Sequence, residues 1–244
     1  MKPSVIVKLI LAAVFLVASL LLARNLEAQD FPKPDIHPPP SATERPNPCT
    51  LRVHVVDKDG MSHGTGAFIG PQLVVTAWHV VRDRKSDAVT VDFPAREDVK
   101  GKVLAEDKAQ DFAIIELEER FRMRHLSLKT DLVDGEALIV EGYNGGRDLS
   151  HFKRGEGTLS FKRYGGGGAT WFKVEGYGAR SGDSGGPVYS ADGQFAGCLW
   201  GSVDGEVYFT PANIIVEFVL DNTPVDPVVP PHNTPVEPRI YQLH

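Results

Sequence analysis

The stretch that decides the fold is Arg180-Ser181-Gly182-Asp183-Ser184-Gly185-Gly186-Pro187. Ser184 stands among three glycines, with an aspartate before it and a proline closing the run. Glycine reaches backbone angles that other residues resist, and it leaves room for a second chain's backbone. A turn built this way can aim the N–H groups of Gly182 and Ser184 at one point, where an oxyanion would develop during acyl transfer. Without its context, the same octapeptide also reads as a Gly/Ser/Asp surface loop.

A serine hydroxyl is a poor nucleophile at neutral pH and needs a base within hydrogen-bond reach. Two upstream blocks supply candidates for the base and for the group that orients it. The first is Gly64-Thr65-Gly66-Ala67-Phe68-Ile69-Gly70, followed by Leu73-Val74-Val75-Thr76-Ala77-Trp78-His79-Val80-Val81. It places His79 at the end of a buried strand. The second is Gln110-Asp111-Phe112-Ala113-Ile114-Ile115-Glu116-Leu117, which places Asp111 at the mouth of another. Asp107 is the rival carboxylate, but its Glu-Asp-Lys-Ala setting suits a solvated loop, as do those of Asp83, Asp87 and Asp92. His54 and His63 read as structural or surface residues. The order His79, Asp111, Ser184 is one of three known chain orders for a Ser-His-Asp triad.

With these blocks in this order, residues 49–221 resemble the chymotrypsin/trypsin-fold serine peptidases. In its shortness and in the first two blocks the chain is most similar to compact bacterial HtrA-type peptidases. It departs from them in having no PDZ domain after the peptidase block, and in Asp183, where they usually carry Asn. The resemblance implies an all-β fold: two six-stranded antiparallel β-barrels with the triad at their junction and a short C-terminal helix. It implies Ser184 as nucleophile, His79 as base and then acid, Asp111 as orienter, and an oxyanion hole made by the Gly182 and Ser184 amides. It also puts Gly178 at the floor of the specificity pocket and Leu199, Trp200 and Gly201 along its wall. A trypsin-type preference for Arg or Lys needs a buried carboxylate at that floor, so an uncharged residue before the scissile bond is expected. Protein or peptide substrates follow, with no metal and no organic cofactor. The rival from another class is a protease-like binding module that holds a partner with its cleft and proline-rich tail.

Enzymes of this fold that are activated by cleavage pair a new N-terminus with the aspartate before the nucleophile. No Ile-Val-Gly-Gly start is present here. An internal cation is therefore expected to neutralise Asp183, with Arg180, Arg163 or Arg154 as candidates; the alternative is a solvent-exposed Asp183.

The remaining residues frame this core. The chain has 244 residues, 42% of them hydrophobic, and a formal net charge of -6. That gives one modest domain or two small lobes and offers no basic field to nucleic acid. Residues 1–28 read as a signal peptide or signal anchor, with Lys2 and Lys8 ahead of an uncharged run over residues 9–23. An exported protein is expected, secreted, periplasmic or on the outer membrane face, with residues 5–23 serving as a membrane tether if uncleaved. Removing residues 1–28 takes away three basic side chains and one acidic one, leaving -8. Residues 29–48 form a proline-rich linker, which favours extended, solvated backbone. Cys49 and Cys198 either pair, tying the domain's start to a late strand, or remain two thiols.

Strand patterns fall at 51–56, 65–69, 73–76, 88–93, 102–105 and 112–117 in a first lobe (49–125). A second lobe (135–210) shows them at 136–141, 155–161, 170–175, 187–189 and 194–200. A glycine tract at 165–168 reads as a hairpin tip, and residues 212–220 as an amphipathic helix. The proline-rich tail, 222–244, repeats Asn222-Thr-Pro-Val-Asp-Pro227 as Asn233-Thr-Pro-Val-Glu-Pro238. It is either a disordered tail or a ligand for a partner or for the domain's own cleft.

Overall fold

A computed structural model describes residues 45–122, 126–145, 149–164 and 170–223, and for 162–164 it describes the backbone alone. The expected leader, nearly all of the linker, the glycine tract and the tail beyond residue 223 lie outside the described residues.

Twelve strands close two antiparallel barrels. The first contains β1 (Thr50–Asp57), β2 (Gly60–Phe68), β3 (Leu73–Ala77), β4 (Arg84–Phe93), β5 (Arg96–Asp107) and β6 (Phe112–Leu117), in the spatial order β1-β2-β3-β6-β5-β4. The second contains β7 (Ala137–Tyr143), β8 (Phe152–Tyr164), β9 (Trp171–Glu175), β10 (Pro187–Ser190), β11 (Phe195–Val203) and β12 (Glu206–Pro211), in the order β10-β11-β12-β9-β8-β7. A one-turn helix, α1 (Trp78–Val81), follows β3, and α2 (Ala212–Asn222) follows β12. This is the chymotrypsin-like pair of six-stranded barrels expected from the sequence. Closure removes the free sheet edges that would otherwise template aggregation.

Alternation drives the first barrel. Leu51, Val53 and Val55 are buried inside it, while Val56 points out and is half exposed. Arg52 breaks the pattern, being fully buried on the outer face of β1. That face abuts the second barrel, where Arg52 Nη1 donates to the Tyr143 carbonyl at 3.0 Å. Glu141, also buried, accepts from Thr50 Oγ1 at 2.5 Å, from the Asn47 N–H at 3.0 Å and from Arg154 Nη1 at 3.2 Å. Buried charges persist only when paired and hydrogen-bonded, so these contacts fix how the barrels meet. The first barrel's apolar core runs on through Tyr189, Phe195 and Cys198 into Ile215 and Val219 of α2. Phe218 of α2 packs edge-to-face on Phe112 with ring centroids 5.0 Å apart.

Three expectations need correction. β12 is a strand that the sequence reading missed. Its residues Val207 to Pro211 are buried on both faces, which erases the two-residue alternation, and its terminal proline looked like a helix opener. β2, β4 and β5 begin earlier than their apolar pattern, because backbone pairing continues through polar residues at the hairpin ends, Gly60 and Arg84 opposite Asp57 and Arg96 opposite Phe93. Cys49 and Cys198 are both buried, free thiols, so the pairing alternative falls. His54 and His63 lie opposite each other on β1 and β2 with their Nδ1 atoms 2.7 Å apart, and Asp92 sits 2.5 Å from His54 Nε2. They are ladder residues of the first barrel.

Candidate active site

Ala77, the last residue of β3, leads directly into α1, which begins at Trp78 and carries His79 at the barrel junction. The loop between β5 and β6 brings Asp111 beneath it. Asp111 adopts a left-handed backbone (φ 54°), a conformation that Asp tolerates better than most residues and that recurs at functional sites. Its carboxylate makes two bonds to one residue. Oδ1 accepts the His79 backbone N–H at 3.0 Å, and Oδ2 lies 2.7 Å from His79 Nδ1. The Trp78 N–H donates to the Asp111 carbonyl at 3.1 Å. Asp111 is buried, and the imidazole keeps about a third of its surface exposed.

The second barrel clamps this loop from outside. The carbonyl of Gln110 accepts from Thr210 Oγ1 at 2.7 Å and from Trp171 Nε1 at 3.0 Å. The Gln110 side-chain oxygen accepts the Thr170 N–H at 2.9 Å. Asp111 is thus positioned by both barrels, although only its own strand announced it in the sequence.

Ser184 sits across the cleft on the 180–187 turn, whose glycines are needed for distinct reasons. Gly182 has φ 96°, and an added Cβ would lie 2.3 Å from the Tyr143 carbonyl oxygen. Gly185 has φ 84°, and a Cβ there would meet the Thr65 carbonyl oxygen at 2.2 Å. Thr65 stitches the turn to the first barrel. Its N–H donates to the Ser184 carbonyl at 2.9 Å, its Oγ1 donates to the Gly182 carbonyl at 2.7 Å, and the same Oγ1 accepts the Tyr143 N–H at 2.9 Å. Among the described residues, the N–H groups of Gly182 and Ser184 donate to no protein acceptor, leaving two donors beside the serine.

Asp183 is fully buried, which removes the solvent-exposed alternative. Its Oδ2 accepts from Tyr177 OH at 3.0 Å and from the Arg180 N–H at 2.9 Å. Among the described side chains, the cation nearest its carboxylate is Lys153, which was not among the three arginines expected. Lys153 Nζ lies 3.8 Å from Asp183 Oδ2, donates to the Gly178 carbonyl at 2.6 Å and sits 4.2 Å from the centre of the Tyr177 ring. Arg180 contributes its backbone N–H and, more weakly than Lys153, its charge; Arg154 is bound to Glu141, and the Arg163 side chain lies outside the described residues. Burial pushes the Asp183 carboxyl above the usual carboxylate range, against the Arg180 N–H and Lys153. Burial also pulls the Lys153 ammonium below the ordinary lysine value, against the attraction of Asp183. Tyr177 OH is raised by burial and by the neighbouring carboxylate, so it stays a donor.

His79, Asp111 and Ser184 line one cleft of about 550 Å³, together with Trp78, Trp171, Trp200 and Gly201. Two of the expected pocket residues belong elsewhere. Leu199 is wholly buried in the second barrel's core, because β11 turns it inward and presents Trp200 outward. Gly178 is exposed, lies outside the residues lining the cleft, and offers its carbonyl to Lys153. Ala179, Arg180 and Ser181 line the cleft in its place. Among the described residues, no group of three or more His, Cys, Asp or Glu side chains is placed to hold a metal ion.

A sequence profile of the trypsin-like peptidase domain matches residues 64–197, more than half of the chain. Among solved structures, the chain is similar to the active form of the Rv3671c protease from M. tuberculosis. That match has 22% identity and a TM-score of 0.62 and covers 74% of this chain and 83% of that one. It is also similar to a serine endoprotease from Yersinia pestis (15% identity, TM-score 0.61, covering 74% and 64%). An HtrA-type protease, AlgW, solved with a tripeptide, matches at 16% identity and TM-score 0.63, covering 74% and 62%. No curated protein sequence matches. At these identities the structural likenesses speak for the fold.

Proposed function

The chain belongs to the trypsin-like peptidase domain family, and from that premise of a serine endopeptidase we propose that Ser184, His79 and Asp111 are its catalytic triad, acting through an acyl-enzyme. The observation that carries this is the His79 Nδ1 to Asp111 Oδ2 contact of 2.7 Å, in the cleft that Ser184 also lines. A carboxylate accepting Nδ1–H leaves Nε2 as the basic nitrogen, which takes the Ser184 proton during attack and returns it to the leaving amine. The Gly182 and Ser184 amides stabilise the tetrahedral oxyanion. No carboxylate stands among Ala179, Arg180 and Ser181 on the serine side of the cleft, and Arg180 brings a positive charge there. A basic residue before the scissile bond is therefore disfavoured, and an uncharged one is expected.

Labelling with a fluorophosphonate tests the triad. Ser184 is expected to be modified in the full-length protein, with labelling lost in both Ser184→Ala and His79→Ala. An unmodified Ser184 in folded protein would turn the reading toward a binding module, and a cleavage profile dominated by Arg or Lys would overturn the specificity.

The protein is exported in this reading, on the strength of the apolar run over residues 9–23 behind Lys2 and Lys8. Expression in a bacterial host followed by fractionation is expected to place the protein outside the cytoplasm or on the membrane's outer face. Full-length soluble protein in the cytoplasm would refute export.

A further inference from the structure

All three tryptophans of the chain, Trp78, Trp171 and Trp200, line the one cleft that holds His79 and Ser184. Trp171 and Trp200 stack face to face, with ring centroids 4.7 Å apart and planes 10° from parallel, and Tyr208 meets Trp200 edge-on at 6.4 Å. Each tryptophan keeps part of its surface exposed. Apolar aromatic surface left facing water at a cleft marks a place where another apolar group docks.

The charges of the cleft are lopsided. Its lining contains Arg82, Lys108 and Arg180 but only one carboxylate, Asp111, which is buried and already bound to His79. Lys108 Nζ stands 5.7 Å from the Trp78 ring centre and Arg82 Cζ stands 5.9 Å from it, so two cations flank one aromatic wall. The nearby acids do little to cancel them. Asp83 meets Arg82 at 3.2 Å, but both side chains are about half exposed. Asp107 turns its Oδ1 to the Ala109 and Gln110 N–H groups. This cationic lining belongs to a chain whose overall formal charge is -6. A locally reversed field of that kind attracts ligands of opposite sign into a cleft.

We propose that the cleft selects polypeptide segments in which acidic side chains flank a large apolar or aromatic residue close to the scissile bond. The proposal rests on the peptidase reading of the same site. The apolar residue lies on the Trp171–Trp200 pair. The carboxylates lie toward Lys108 and Arg82 at the Trp78 wall and toward Arg180 on the serine side. Recognition of each carboxylate is partly solvated, so the discrimination is moderate and sensitive to salt.

The test uses internally quenched peptides in matched pairs that differ only by Glu against Gln, or Asp against Asn, at positions flanking a common apolar residue. The acidic member is expected to have a kcat/KM about tenfold higher at about 0.1 M salt, with most of that advantage gone at about 1 M. Lys108→Gln is expected to lower the acid-to-amide ratio severalfold, and Lys108→Glu to turn the preference toward matching peptides with Lys in place of Glu. Fluorophosphonate labelling of the same wild-type preparation separates the two failures. If Ser184 is labelled and the paired peptides are cleaved equally at both salt concentrations, the charge-selection proposal is overturned while the peptidase stands. If the serine is not labelled and no peptide is cut, both fall together.

Discussion

Asp111→Asn is expected to lower kcat about 10⁴-fold, with KM and the thermal midpoint little changed. The geometry explains why so small a change costs so much. One carboxylate oxygen accepts the His79 backbone N–H at 3.0 Å and the other faces His79 Nδ1 at 2.7 Å. An amide has one oxygen and one NH₂ group with which to meet two donors. If its oxygen keeps the backbone N–H, the NH₂ faces Nδ1 and can bond only to an unprotonated nitrogen. The proton then resides on Nε2, and the imidazole can no longer accept from Ser184. If the amide flips, the ring keeps its productive tautomer, but NH₂ is driven against a backbone N–H inside a buried loop. The first arrangement costs less, because a buried unmatched donor costs about 1–3 kcal/mol. Steady-state kinetics on a cleaved peptide, with circular dichroism as a folding control, measures the effect. A loss under about tenfold in a folded variant would mean that Asp111 does not set the tautomer, and the triad would have to be rebuilt around another carboxylate.

The elements that could be read from the sequence are those whose information is local. His79, Asp111 and Ser184 each lie beside an apolar strand or within a glycine turn, and neighbouring residues reveal that context without knowledge of the fold. Eleven of the twelve strands announced themselves through alternation or apolar runs bounded by turn residues. β12 did not, because a strand buried on both faces loses the alternation that distinguishes it. The misplacement of Leu199 has a related cause. β11 carries a register shift between Leu199 and Gly201, so the wall falls to Trp200 while Leu199 turns into the core. Contacts between distant strands left no local trace at all. Lys153 on β8 reaches Asp183 on the serine turn, and Gln110 is held by Thr210 on β12 and Trp171 on β9. An unpaired Asp183 signalled that some cation must approach it, and Arg154 was among the candidates. Adjacent residues of β8 face opposite ways, and only the fold shows that Lys153 turns to Asp183 while Arg154 turns to Glu141. The clustering of the tryptophans was open to notice, since Trp78 adjoins His79 and Trp200 lies in the expected pocket segment. Only the fold brings Trp171 to them.

Lys153→Met is expected to lower kcat about 10²-fold and to change the alkaline side of the pH profile, with Lys153→Arg recovering most of the loss. Lys153 is a positioning residue and lies outside the lining of the cleft. It stands 3.8 Å from Asp183 Oδ2 and bonds the Gly178 carbonyl, thereby bracing both ends of the segment that presents the Gly182 and Ser184 amides. Asp183 Oδ1 is buried without a hydrogen-bond partner, so its charge already leans on the Oδ2 side, where Tyr177 OH, the Arg180 N–H and Lys153 converge. The signs of the two shifts fix the direction. The Asp183 pKa is raised above its unfolded value by burial, so ionising it weakens the folded state as pH climbs from the usual carboxylate range through the folded-state value. Removing the neighbouring cation raises that pKa further and deepens the cost at neutral pH. The Lys153 pKa is lowered by burial, so the wild-type ammonium discharges below the ordinary lysine range, leaving Asp183 charged beside a neutral amine. Activity should therefore fall on an alkaline limb that begins below the ordinary lysine range. The methionine variant has nothing to titrate there and should lack the limb, starting from its lower plateau. Arginine keeps its charge throughout that range, so its variant should hold activity to higher pH than wild type. A purely structural role for Lys153 would change stability in both variants without moving the limb. If Lys153→Met works within about threefold of wild type and keeps the same alkaline limb, Tyr177 and the Arg180 amide suffice for Asp183, and the cation does not brace the oxyanion turn.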